Sequence, residues 1–130
     1  MRKFFNWQGL FYHLPPVAIC TLIFWGSSLP GNDIPDLFSF QDKVFRFVVF
    51  SLLAFLTARA VWFERPLWRP THFGLAATLF AAVYGLSDEC HQLFVPFRHA
   101  TALDWLTDAL GGLFGSFLWT HIHTHVRVKR

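Results

Sequence analysis

Charged residues are scarce in this chain of 130 residues: they make up only 15%, whereas 54% of the residues are hydrophobic and 19% are aromatic. A soluble domain of this size has too much surface for its volume to hide 17 Phe and 6 Trp side chains, so large apolar patches would face water. A lipid bilayer removes that difficulty. The composition therefore disfavours a soluble domain and predicts a membrane protein.

Cysteine is also rare, and the two that occur, Cys20 and Cys90, are expected at different membrane depths, which makes a disulfide between them improbable. The sequence contains no P-loop, G-x-S-x-G elbow, Cys-x-x-Cys pair, dinucleotide fingerprint or His-Glu-x-x-His zinc motif. His121, His123 and His125 resemble a metal-binding tract, but a hydrated tail is the simpler interpretation. We expect no metal and no cofactor.

Long stretches of the chain carry no Asp, Glu, Lys or Arg. Residues 4–32, 70–87 and 109–126 each approach the roughly 20 residues needed to cross a bilayer. Residues 47–58 form a shorter run, which Arg46 and Arg59 can extend by directing their charged ends towards the membrane surface. The sequence thus predicts one all-α transmembrane domain over residues 1–130, a bundle of four helices. Their expected bounds are 13–29, 42–63, 71–93 and 104–123.

The distribution of charge predicts the orientation of that bundle. Eight of the eleven basic residues fall on the side that holds both termini: Arg2, Lys3, Arg59, Arg65, Arg69, Arg127, Lys129 and Arg130. Seven of the eight acidic residues fall on the other side. The positive-inside rule therefore predicts cytoplasmic termini in a multi-pass protein of the bacterial inner membrane. The net charge of +3 reflects this topology and does not indicate nucleic-acid binding.

Polar residues gather at the outer ends of the third and fourth helices. Asp88 and Gln92 are spaced i,i+4 and Glu89 and Gln92 i,i+3, so the three share a helix face. Ionised side chains inside a span cost a few kcal/mol each unless they face a polar cavity or a partner. Their presence there suggests a site.

The fourth helix carries a second stripe, in which two acids are followed by two glycines. Asp104, Asp108, Gly111 and Gly115 fall at i, i+4, i+7 and i+11. Close helix packing at the Gly-x-x-x-Gly pair would turn the whole stripe, with its two carboxylates, into the bundle. The same glycines could also join two copies in a homo-oligomer.

Cations are expected beside these acids, from the second helix and from the third connection. We predict one outward-facing polar pocket as the ligand-binding site. Its residues are Asp42, Lys43, Arg46, Asp88, Glu89, Gln92, Arg98, Asp104 and Asp108. The alternative is that these charges only neutralise one another and hold the helices together.

With these positions laid out, the chain resembles the VanZ-like family of small bacterial membrane proteins over nearly its whole length. The resemblance lies in segments 27–31, 42–47, 87–98 and 104–111. The last two are the most specific: an acidic pair followed by His-Gln, a Pro and an Arg, then an Asp-containing helix that continues with glycines. The family commonly has His where Arg46 stands, Gly where Phe97 stands, and Asn as an alternative to Asp108.

The resemblance implies a cell-envelope protein connected with low-level resistance to the glycopeptide teicoplanin. We expect a membrane lipid or a lipid-linked cell-wall precursor as its partner, with Lys43 and Arg98 holding a phosphate. The carboxylates would then bind sugar, amide or cation groups, or at least one would be protonated. Two alternatives stay open: an enzyme acting on a phosphorylated lipid, with Glu89 or Asp104 as general acid or base, and a structural module without a ligand.

Overall fold

The protein, in a computed structural model that describes residues 6–128, consists of four long α-helices. They are α1 (Trp7–Ser28), α2 (Gln41–Glu64), α3 (Pro70–Gln92) and α4 (Ala102–Val128), with a short 3-10 turn at Gly31–Asp33. No β-strand occurs among the described residues. The all-α prediction is therefore confirmed.

Three helices are longer than the sequence predicts: α1 and α4 by several residues, and α2 by one residue at each end. Helix α1 begins at Trp7 instead of residue 13, because the Asn6 side chain accepts a hydrogen bond from the Gln8 amide and caps the helix. Pro15 and Pro16 then lie inside the helix and do not start it. Helix α4 continues to Val128, five residues beyond the predicted end at residue 123, so His125 is helical as well as His121 and His123.

The helices alternate in direction. At the charged end, α1 and α3 finish and α2 and α4 begin; at the opposite end, α2 finishes and α3 begins. Contacts across the bundle fix this arrangement. His13 pairs with Glu64 at the opposite end, whereas Ser28 meets His91 at the charged end.

Helices α2 and α4 pack closely through glycine. A methyl group added to Gly111 would lie 2.6 Å from the Phe47 carbonyl oxygen, and one added to Gly115 would lie 1.9 Å from that of Ser51. Both glycines are buried in this contact. The expected intramolecular packing turns Asp104 and Asp108 inward.

The distribution of side chains is inverted relative to a water-soluble bundle. Large apolar residues on all four helices face outward, among them Trp25, Phe45, Leu75 and Phe117. The polar side chains Ser27, Arg46, Asp88, Glu89, Gln92, Asp104, Asp108 and Ser116 are buried. By length and composition, α1 and α2 are able to cross a membrane, whereas α3 and α4 fall short of that criterion.

Candidate functional site

Arg46 lies at the centre of the charged end and joins three helices. Its Nε donates to Asp108 Oδ1 at 2.9 Å and its Nη2 donates to Asp108 Oδ2 at 2.7 Å, a two-pronged contact between α2 and α4. The same Nη2 donates to Glu89 of α3 and lies 3.6 Å from Asp88 Oδ2. The guanidinium therefore faces three buried carboxylates.

Glycine makes the room for this arrangement. A methyl group added to Gly85 of α3 would lie 2.9 Å from both Asp108 Cβ and Asp108 Oδ2. Asp108 is fully buried against that position. Without the bare backbone of α3 at this point, the carboxylate would have to move away from Arg46.

A second ion pair lies at the edge of the first. Lys43 Nζ is 3.0 Å from Asp104 Oδ1; the Lys43 side chain is 34% exposed and that of Asp104 is 9% exposed. Thr101 Oγ1 accepts a hydrogen bond from the Asp104 amide and so caps α4. Glu89 Oε2 accepts from the Thr101 amide and ties this cap to α3.

An amide side chain extends the network to α1. Gln92 Nε2 donates to Asp88 Oδ2 at 3.2 Å and to Ser27 Oγ at 3.3 Å, and all three residues are buried. The predicted common face of Asp88, Glu89 and Gln92 is thus the face that α3 presents to the bundle.

We call the set of Lys43, Arg46, Asp88, Glu89, Asp104 and Asp108 the charge cluster. It holds four carboxylates and two cations, so with all of them ionised its formal charge is −2. Each carboxylate has a partner within the cluster. In that fully ionised state the excess charge is negative, and the interior of the charge cluster would repel a phosphate group.

Arg98 does not join the charge cluster through a direct contact. Its Nε donates to the Leu29 carbonyl at 3.0 Å and its Nη2 donates to the Gly26 carbonyl at 2.8 Å. It therefore satisfies carbonyl groups at the C-terminal end of α1, where a cation also interacts favourably with the helix dipole.

The loops beside Arg98 are in close contact. The Gly31 amide donates to the Pro96 carbonyl at 3.1 Å, and a methyl group on Gly31 would lie 1.8 Å from the Phe97 carbonyl oxygen. Phe97 itself has φ of 60°. This left-handed conformation suits glycine, which accounts for the Gly that the sequence resemblance leads one to expect there.

Asp42 is also separate from the charge cluster. It is exposed in the first turn of α2, where it lines a surface depression of about 580 Å³ formed by residues 36–43. Lys43 is the residue shared by the depression and the charge cluster.

The sequence did not reveal the contact between Ser28 and His91. Ser28 Oγ lies 3.0 Å from His91 Nε2, and the same hydroxyl donates to the Phe24 carbonyl at 2.7 Å. Both residues lie in the segments that carry the family resemblance, but no local spacing relates residues so far apart in the chain.

Among the residues that the structure describes, no three His, Cys, Asp or Glu side chains are arranged to hold a metal ion. The rings of His121 and His125 lie 4.1 Å apart, and His125 Nδ1 is 3.0 Å from the His121 carbonyl. Cys20 and Cys90 are both free thiols.

Comparison with known proteins gives one match. No curated protein and no solved structure matches the chain. A family model described as VanZ/LLP1 matches residues 5–123, which is nearly the whole sequence and includes every residue of the charge cluster. Together with two helices able to cross a membrane and the outward-facing apolar side chains, this match indicates a membrane protein. The chain belongs to the VanZ/LLP1 family.

Proposed function

We propose that this protein is a single-domain, four-span protein of the bacterial inner membrane that binds a lipid or lipid-linked cell-wall precursor at the outer face. Through that binding it influences susceptibility to glycopeptides of the teicoplanin type. The charged end faces outward and both termini are cytoplasmic.

The burial of polar groups supports four spans, although α3 and α4 are less apolar on average than α1 and α2. Their acidic and amide side chains point into the bundle, whereas Leu86, Leu106, Leu110 and Leu113 cover the outside. The average hydropathy of a helix includes its buried polar side chains, whereas lipid would contact only the side chains on the outer surface of the bundle.

The basic residues support the orientation. Arg59, Arg65, Arg69 and Arg127 lie towards the opposite end of the bundle, which the positive-inside rule assigns to the cytoplasm. Four further basic residues of that argument, Arg2, Lys3, Lys129 and Arg130, lie outside the described residues.

The observation that carries the binding proposal is the position of Lys43. It is the partly exposed cation of the charge cluster, and it borders the depression formed by residues 36–43. A phosphate of the precursor contacts Lys43 there, while the carboxylates of Asp36 and Asp42 accept hydrogen bonds from sugar or amide groups. The negative interior of the charge cluster keeps the phosphate at its edge.

Arg98 has a different part in this proposal from the one that the sequence suggested. Its contacts to Leu29 and Gly26 hold the end of α1, so it supports the site and contributes to phosphate binding at most through its remaining Nη1. Lys43 is therefore the residue to replace in a test of ligand binding.

Native mass spectrometry of the detergent-extracted protein tests the proposal. We expect a phosphorylated lipid or lipid-linked precursor of net negative charge on the wild type, at least tenfold less of it on Lys43→Gln, and unchanged binding on Arg69→Gln, which alters an exposed cation at the opposite end. Teicoplanin tolerance of cells producing each variant should follow the same order. Equal binding by both variants would exclude an anion site at Lys43.

One observation favours the enzyme alternative. Ser28 Oγ and His91 Nε2 lie within the distance expected for a hydroxyl nucleophile and its base. The Ser28 proton is donated to the Phe24 carbonyl here, so the hydroxyl would have to rotate before the imidazole could accept that proton. Glu89 and Asp104, the acid and base candidates from the sequence, are engaged by Arg46 and Lys43. Turnover of a lipid-linked phosphate by the purified protein, abolished by Ser28→Ala, would establish this function; absence of turnover leaves binding.

A homo-oligomer through Gly111 and Gly115 stays a prediction. Both glycines are used in the contact between α2 and α4, so an oligomer that relied on them would have to open that contact. The purely structural alternative predicts that replacing Lys43 changes folding stability and nothing else.

A further inference from the structure

A second concave site lies in the other half of the molecule, between α1, α2 and α3. It encloses about 440 Å³, within the range of about 300–1,000 Å³ that is usual for ligand sites. Along α1 it extends from His13 to Cys20, which corresponds to roughly 10 Å at the rise of an α-helix. We call it the α1–α3 groove.

The α1–α3 groove is mostly apolar, and its charged residues lie at one end, which we call its mouth. Pro16, Val17, Ala76 and Phe80 line the apolar part. At the mouth, Glu64 Oε1 lies 2.8 Å from His13 Nε2, and the side chain of Glu64 remains 50% exposed. The neighbouring guanidinium of Arg65 lies over the Trp68 ring, 5.8 Å from its centre. A carboxylate and a guanidinium thus border one apolar slot.

We infer that the α1–α3 groove binds one acyl chain of a zwitterionic phospholipid, whose headgroup carries a phosphate and an ammonium group. The phosphate lies at Arg65 and the ammonium at Glu64, while the chain runs between α1 and α3 towards Cys20. This site lies in the opposite half of the bundle from Lys43. It rests on the membrane arrangement of the proposed function but not on the ligand proposed at Lys43.

The lining of the groove suits an acyl chain. The groove extends over roughly 10 Å of α1, and most of its lining along that length is apolar, including Pro16, Val17 and Phe80. A slim, flexible hydrocarbon chain can follow such a slot and bring its headgroup to the charged mouth.

The surroundings supply such a chain. The walls of the groove include α1 and α2, the two helices that are long and apolar enough to cross a membrane. An open slot on these helices faces hydrocarbon, where lipid chains are the abundant ligand. An acyl chain in the groove would cover the apolar side chains that the loose contact between α1 and α3 leaves without packing partners.

The mouth distinguishes between headgroups. An anionic headgroup without an ammonium group would meet Arg65 favourably but would face the carboxylate of Glu64. A headgroup with both charges complements both residues. A lipid with an uncharged headgroup would use neither.

The test uses the full chain, stripped of lipid in detergent and then offered phosphatidylethanolamine, phosphatidylglycerol or diacylglycerol separately, with native mass spectrometry as the readout. We expect one phosphatidylethanolamine per chain and at least tenfold less retention of the other two lipids. Equal retention of phosphatidylglycerol, or of diacylglycerol, would overturn the assigned headgroup chemistry.

A matched pair of substitutions on α3 locates the lipid. Ala76→Phe fills the groove and should reduce phosphatidylethanolamine retention at least tenfold, whereas Leu79→Phe places the same ring on the exposed side of α3 and should leave it unchanged. If Ala76→Phe does not fold, Val17→Phe blocks the groove from α1. Equal retention by the blocking and control variants, or a dimer in place of the lipid adduct, would overturn the inference. Lys43→Gln should leave this adduct intact, which separates it from ligand binding at the charged end.

Discussion

At the scale of single residues, Arg46 determines whether three buried carboxylates are compensated. Replacing it with Gln leaves Asp88, Glu89 and Asp108 without their cation in a region closed to water. Removing one partner of a buried ionic network costs about 3–5 kcal/mol, so we expect Arg46→Gln to lower the free energy of unfolding by about that amount. Denaturant unfolding in detergent micelles measures the change.

Lys43→Gln is the matched control, because it removes a cation from the exposed edge of the same charge cluster. Ion pairs near a surface contribute about 0–1 kcal/mol, so its effect on unfolding should be much smaller. Similar losses for the two variants would mean that Arg46 does not compensate the buried acids.

Phe97 adopts a left-handed backbone conformation in an exposed loop. Phe97→Gly and Phe97→Ala both remove the aromatic ring, so the two variants differ only in their preference for the left-handed backbone conformation. The Gly variant should be more stable than the Ala variant by about 1 kcal/mol, since residues with a Cβ are disfavoured at positive φ. Thermal unfolding of both proteins decides the sign, and a more stable Ala variant would contradict the conformation of this loop.

The sequence located most of the charge cluster because helical spacing relates its members. The i,i+4 and i,i+3 pairs in α3 and the Asp-Gly stripe of α4 share faces, and the glycine packing shows which face is buried. Arg98 could not be placed in this way. Its partners are backbone carbonyls of a distant helix end, and no pattern of side chains records them.

At the scale of elements, the packing of α2 against α4 depends on two glycines. Gly115→Ala would put a methyl group 1.9 Å from the Ser51 carbonyl oxygen, so the helices must separate. Overpacking of this kind costs about 1–3 kcal/mol, and moving α4 would also lengthen the contacts between Arg46 and Asp108. We expect a lower free energy of unfolding by at least that amount.

Gly26→Ala makes the same chemical change where nothing lies within 4 Å of the added methyl group. Alanine has the higher helix propensity, by about 1 kcal/mol, so this variant should unfold at the same temperature or a higher one. Destabilisation of the two variants by equal amounts would show that the α2–α4 contact is not close at Gly115.

Helix bounds were predicted less well than helix number. The sequence predicted that α1 starts at residue 13, near the Pro15–Pro16 pair, but the helix begins six residues earlier, at Trp7, directly after the Asn6 cap. The C-terminal part of α4 carries three histidines, which do not distinguish a helix from a tail. These misjudged ends lie away from the charge cluster.

At the scale of the whole molecule, the scarcity of charged residues in the sequence indicated a membrane protein. Uncharged stretches and abundant aromatic residues predicted four helices, and residues 6–128 form four, with many large apolar side chains exposed and a group of charged side chains buried. Average hydropathy separates α1 and α2 from the other two. All four carboxylates of the charge cluster lie on α3 and α4. Burial of those groups depends on tertiary packing, which cannot be predicted from composition alone.

The central claim, that the charged end faces the outside of the cell, can be tested with one pair of cysteine substitutions on either side of α2. In a chain with Cys20 and Cys90 replaced by serine, Ser39→Cys lies in the exposed loop before α2 and Leu67→Cys in the exposed loop after it. A membrane-impermeant maleimide applied to intact cells should label residue 39 and should label residue 67 only after lysis. Labelling of residue 67 but not residue 39 from outside would reverse the orientation, and equal labelling of both from one side would show that α2 does not span the membrane.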